Sequence, residues 1–159
     1  MNIKSVLFVC TANICRSPMA EALLRARLQK EQPDWREWQV ESAGTWALDG
    51  EMAARYSRQV MAERSLDISG HRGRTVSAEL LKRFNLVLTM EPGQKEALQI
   101  EFPGIADRVY LLSEMGGTVT TVDDPYGRAV EAYQQTAEKI DQMLARGMQR
   151  IVALASGEK

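Results

Sequence analysis

Apolar positions follow two rhythms along the chain. Largely apolar runs at residues 3–9, 86–90 and 109–112 have the form of short strands buried on both faces of a parallel sheet. A further strand is expected over 38–42, ending at Ala43-Gly44-Thr45. The segments between them carry helical spacing. Residues 18–31 place Met19, Ala22, Leu23, Ala26 and Leu28 on or near one face, and Gln32-Pro33-Asp34 breaks the pattern. Residues 51–65 space Met52, Tyr56, Val60 and Met61 to pack. Ser77 opens a short helix to residue 83, and 94–100 forms another, ended by Phe102-Pro103-Gly104. Residues 128–148 form a long helix with Val130, Tyr133, Ala137, Ile140, Met143 and Leu144 on its buried stripe. The apolar residues 151–155 can continue that helix past Gly147, although 149–159 as a whole reads as a loosely packed tail. Strands alternating with helices predict an α/β fold: residues 1–159 as a single domain, a doubly wound four-stranded parallel sheet with helices on both faces. Ligands in such sheets bind where the loops gather at the strand ends.

The first of those strand ends carries the chemistry. The run Val6-Leu7-Phe8-Val9 stops at Cys10, and Thr11-Ala12-Asn13-Ile14-Cys15-Arg16-Ser17-Pro18 follows. Ser17 suits a helix N-cap and Pro18 the first helical position. A loop between a strand and a helix start turns its backbone N–H groups, with the helix dipole behind them, toward an oxyanion such as phosphate. Those amides and the Arg16 guanidinium would stabilise a Cys10 thiolate, and Arg16 can also grip two phosphoryl oxygens at once. A lone cysteine at the end of a core strand is usually just buried. Cys-x5-Arg-Ser-Pro in this position makes it a nucleophile in an anion cradle. The nucleotide-binding pattern Gly-x4-Gly-Lys-[Ser/Thr] is absent.

Composition narrows the partners. The 159 residues are 45% hydrophobic and 26% charged, enough for a real core, and a net charge of −1 gives no general attraction to nucleic acid or an anionic membrane. Both cysteines lie in the loop, which fits a reducing, cytoplasmic setting and not a disulfide scaffold. One cysteine pair and a single histidine, His71, do not make a zinc site, so no metal is expected. The apolar start is too short for a signal peptide or a membrane span.

Cys10-Thr11-Ala12-Asn13-Ile14-Cys15-Arg16-Ser17-Pro18 resembles the signature of the low-molecular-weight protein tyrosine phosphatases, Cys-x-Gly-Asn-x-Cys-Arg-Ser-Pro, with Ala12 where the family usually has glycine. Ser42-Ala43-Gly44-Thr45, Ser69-Gly70-His71-Arg72, Leu86 to Glu91 and Asp124-Pro125-Tyr126 match in order and spacing, so the resemblance covers nearly the whole chain. It implies phosphate monoester hydrolysis on phosphorylated proteins through a phosphocysteine intermediate, with no cofactor and with inorganic phosphate as product and inhibitor. It implies that Asp124, whose backbone the following proline restricts, is the general acid and then base. It places Asn13, Ser17, Ser42 and His71 in a polar network that holds the loop, with Ser17 donating to Cys10. The plain alternative for His71 is a solvated loop position. Trp46 and Tyr126 are candidates for an aromatic rim around a phosphotyrosine ring, or else cover the edge of the core. Cys15 either traps an oxidised Cys10 as a disulfide or is a buried structural thiol.

Other readings compete. Arsenate reduction on the same fold relays electrons through a downstream cysteine pair, and no cysteine follows Cys15. A redox or phosphopeptide-binding module would not need Asp124. Protein arginine phosphatases, close relatives, carry a threonine after the nucleophile, as Thr11 stands here, and an Asp-Pro-aromatic-Gly turn like Asp124-Pro125-Tyr126-Gly127. Phosphotyrosine is the expected substrate, with phosphoarginine the alternative.

Overall fold

Four parallel strands, β1 (Lys4–Cys10), β2 (Trp38–Gly44), β3 (Leu86–Thr89) and β4 (Val109–Leu111), pair in the order β2-β1-β3-β4 in the computed structural model, which describes residues 3–158. β1 is central, and the pleat sends its side chains alternately to two apolar layers. Val6 and Phe8 join one layer with Leu24, Met61 and Ile140, while Leu7 and Val9 join the other with Leu80, Leu81, Phe84 and Leu98. The first layer is covered by α1 (Arg16–Glu31), α2 (Arg55–Glu63) and α5 (Val130–Ala155), the second by α3 (Ala78–Lys82) and α4 (Pro92–Glu101). This is the expected doubly wound sheet with helices on both faces. The order reverses at β1, so the loop after β1 lies at the topological switch point. No helix among the described residues is long and apolar enough to cross a membrane.

Several boundaries move for tertiary reasons. The helix expected from residue 51 begins at Arg55, because residues 50–54 spend their backbone bonds elsewhere: Gly50 N–H on Gly73 O, Gly73 N–H on Glu51 O, and Ala54 N–H on Ile14 O. Met52 is consequently exposed and not packed. Gly147 does not interrupt α5. A Cβ there would stand 2.4 Å from that of Met115, so the missing side chain lets the helix lie close against the turn at Leu112–Gly116. The loose tail expected over 149–159 is corrected for most of its length. α5 runs to Ala155, its stripe continues through Met148, Ile151 and Ala155, and Asn85 Nδ2 donates to Ala155 O at 2.8 Å. Ser77 caps α3 as expected, accepting the Leu80 N–H at 3.1 Å.

Candidate active site

Six consecutive carbonyls from Cys10 to Cys15 are each taken by a donor outside the loop. Cys10 O accepts Thr45 N–H, Thr11 O accepts Trp46 N–H, Ala12 O accepts Leu48 N–H and Ile14 O accepts Ala54 N–H. His71 Nε2 lies 2.6 Å from Asn13 O, and Ser57 Oγ donates to Cys15 O. A planar trans peptide points its N–H opposite to its C=O, so turning the carbonyls outward turns the amides of the same peptides inward. The segment after β2 supplies three of these donors. Gly44 lets it approach, since a Cβ there would meet Thr11 O at 2.4 Å. The left-handed residue of the loop is Asn13 (φ 59°), not Ala12, so alanine in place of glycine at position 12 costs no backbone strain.

Asn13 is also the hub of the network beneath Cys10. Its Oδ1 accepts Arg74 N–H at 3.0 Å, which fixes the amide orientation. Nδ2 then donates to Ser17 Oγ at 2.8 Å and to Ser42 Oγ at 3.1 Å. Ser17 Oγ lies 3.0 Å from Cys10 Sγ, and with its oxygen accepting from Asn13 it has its proton left to donate to a Cys10 thiolate. Ser17 is not the N-cap: α1 starts at Arg16, two residues before the expected Pro18, Cys15 holds the cap position, and Ser17 faces the sulfur from the first turn. His71, Asn13, Ser17 and Ser42 come together as the resemblance implied. Arg74, which donates both to Asn13 and to Ser42 O, joins them without having been anticipated.

Arg16 is 2% exposed and split in function. Nη1 donates to Glu91 Oε2 at 2.6 Å and to Val122 O at 2.7 Å. Nε is buried without a partner among the described residues, and Nη2 has only Asp124 Oδ2 at 3.8 Å. One edge of the guanidinium is anchored, and the Nε–Nη2 edge remains for a bidentate oxyanion.

Cys10, the loop, Arg16, Leu48, Asp124 and Tyr126 enclose a cavity of about 150 Å³, the scale of a phosphoryl group with its first attached atoms. Asp124 Oδ1 accepts the Tyr126 N–H at 3.1 Å, leaving Oδ2 toward the arginine and the cavity. The expected aromatic pair is only half realised. Tyr126 is on the wall, but Trp46 is 81% exposed and outside it: its amide is pinned to Thr11 O while its ring projects into solvent, and Leu48 takes the wall position. Cys15 also borders the cavity. Burial, with the nearby Asp124 and Cys10 adding to it, pushes its thiol up to about 11, despite the Tyr133 hydroxyl 3.7 Å from Sγ. A larger groove of about 660 Å³ lies between α1 and Trp35 and Trp38, and no cysteine lines it.

The family described as low molecular weight phosphotyrosine protein phosphatase matches residues 5–154. The chain belongs to this family. Low-molecular-weight phosphatases are phosphoprotein hydrolases, and this chain is an enzyme of that kind. It is 38% identical over 152 residues to a probable low molecular weight protein-tyrosine-phosphatase, EpsP, of Ralstonia nicotianae, covering 96% of this chain and 99% of that protein. It is 32% identical over 142 residues to a protein-arginine-phosphatase of Geobacillus stearothermophilus, covering 89% and 91%. A solved structure of the YwlE arginine phosphatase, a cysteine-to-serine mutant with a phosphorylated active-site serine, superposes with a TM-score of 0.86 at 29% identity, covering 92% of this chain and 94% of that one.

Glu91, Gln94, Arg74 and Leu48 complete this phosphatase site and were not singled out from the sequence. Only Glu91 left a trace there, as the last residue of the Leu86 to Glu91 match.

Proposed function

We propose that this phosphatase hydrolyses phosphotyrosine in proteins through a phosphocysteine at Cys10. The observation that carries the reading is one cavity lined by Cys10, the loop and Arg16, with the loop carbonyls turned outward, the Ser17 hydroxyl 3.0 Å from Cys10 Sγ and Arg16 Nε left without a partner among the described residues. Cys10 sulfur attacks phosphorus in line, forming the S–P bond as the P–O bond to the leaving group breaks. Asp124 gives its proton to the departing oxygen. Arg16 and the amides hold the equatorial oxygens as charge develops on them. Water then attacks phosphorus, Asp124 takes a proton from it, the S–P bond breaks and Cys10 is restored. Phosphate leaves and, being complementary to the same cradle, inhibits as product. Each step uses only protein groups and water. For the YwlE mutant, a phosphoryl group on the active-site serine supports transfer to the nucleophile position. The small net charge supports phosphoproteins, not nucleic acid or anionic membranes, as partners, and the two free thiols fit the cytoplasm.

Tyr126 and Leu48 on the cavity wall favour a flat aromatic leaving group. Thr11 after the nucleophile, together with the arginine phosphatase relative, supports phosphoarginine as the second reading. Turnover of matched phosphotyrosine and phosphoarginine peptides decides between them. A kcat/KM at least tenfold higher for phosphotyrosine is expected, and a tenfold preference for phosphoarginine would overturn the substrate assignment while leaving the phosphocysteine chemistry in place.

A further inference from the structure

We infer that Gln94 is a positioning residue that sets the Arg16 clamp and the Thr11 side chain as one unit. It is 6% exposed at the start of α4, and all of its side-chain amide is engaged. Oε1 accepts the N–H groups of Met90 and Glu91, both at 3.0 Å, closing the N-terminal turn of the helix. Nε2 donates to Glu91 Oε2 at 3.1 Å and to Thr11 Oγ1 at 3.0 Å. Through these two targets the one nitrogen bears on two residues of the cavity lining, Arg16 by way of Glu91 and Thr11 directly. Glu91 Oε2 is the same oxygen that receives Arg16 Nη1 at 2.6 Å, and Thr11 is the loop residue beside Cys10 on the cavity wall.

A carboxylate is free to rotate, and its position decides where the guanidinium fork sits. Glu91 is only partly buried, with 38% of its side chain exposed, so its ion pair with Arg16 does not by itself fix a geometry. The Gln94 donor holds Oε2 in place, and Glu91 together with Val122 O then anchors Nη1 so that the Nε–Nη2 edge is left to the cavity. The same donor occupies the Thr11 oxygen and so selects the rotamer in which its hydroxyl proton is left to be donated. A misplacement of this clamp by about 1 Å is of the order that costs up to a hundredfold in rate.

The inference rests on the phosphatase reading of the cavity, and Gln94→Glu separates its two functions. The variant keeps an oxygen to cap Met90 and Glu91, as glutamate does in a capping box, but loses both Nε2 donors. Gln94→Met removes the donors without adding charge. With an aryl phosphate, both variants are expected to lose tenfold to a hundredfold in kcat/KM, with weaker inhibition by inorganic phosphate, in protein that circular dichroism shows to be folded. In a background carrying Thr11→Val and Glu91→Ala, which removes both groups that Nε2 holds, Gln94→Met is expected to change kcat/KM less than twofold. Wild-type kcat/KM in both single variants, or an undiminished loss in that background, would overturn the inference. Wild-type turnover by Cys10→Ser would instead strike the reading of the site itself.

Discussion

Ser17 Oγ stands 3.0 Å from Cys10 Sγ and accepts the Asn13 amide, which leaves its own proton to donate to a Cys10 thiolate. A hydrogen bond to a charged partner contributes about 1.5–3 kcal/mol. This one stabilises the sulfur both as attacking and as leaving group. Ser17→Ala should lower kcat by about ten- to a hundredfold. Pre-steady-state kinetics should show the phosphoenzyme step affected, and an unchanged kcat would contradict the assignment.

Asp124→Asn removes the proton donor at 3.8 Å from Arg16. Phosphotyrosine, a poor leaving group, should lose about a hundredfold or more in its first step, as general-acid loss commonly costs. Highly activated aryl phosphates need no protonation and should lose much less in that step. Equal, small effects on both substrates would remove Asp124 from this role.

Cys15 titrates near 11, so at neutral pH it is almost entirely protonated and a slow partner for an oxidised Cys10. Its thiolate fraction rises tenfold per pH unit below that value. A thiol-reversible Cys10–Cys15 link formed after peroxide should therefore form roughly thirtyfold faster at pH 8.5 than at pH 7. The Tyr133 hydroxyl lowers the Cys15 value, so Tyr133→Phe should slow the link at both pH values. Mass spectrometry that finds only sulfonic acid at Cys10 would exclude the trap.

The parts of this site that lie close together in the chain were legible in it. Cys10 to Ser17 is one contiguous loop, and the strand before it and the helix after it announce themselves by apolar run and apolar spacing. Ser17 has the pattern of a cap because a short hydroxyl residue ahead of a proline serves capping and sulfur contact equally well. Glu91, Gln94 and Arg74 acquire their roles only when β3, α4 and the 69–74 loop are folded against the β1 loop, and no local pattern marks a glutamine whose amide will be fully used. Trp46 has its amide pinned to Thr11 O, but the direction of its ring depends on the packing around it, and in the lining of the cavity Leu48 stands instead. The tail around Ile151 needed the Gly147–Met115 approach, invisible without the turn it packs against.

Cys10 as the phosphoryl acceptor is tested most directly by rapid acid quench of the enzyme during turnover of an aryl phosphate, followed by peptide mapping. A phosphoryl group is expected on Cys10, present within the first turnover and enriched in Asp124→Asn, where hydrolysis of the intermediate loses its base, while Cys10→Ser is expected to lose turnover, any phosphoryl group it takes up staying bound at position 10. A phosphoryl group on another residue, or full turnover by Cys10→Ser, would contradict the mechanism.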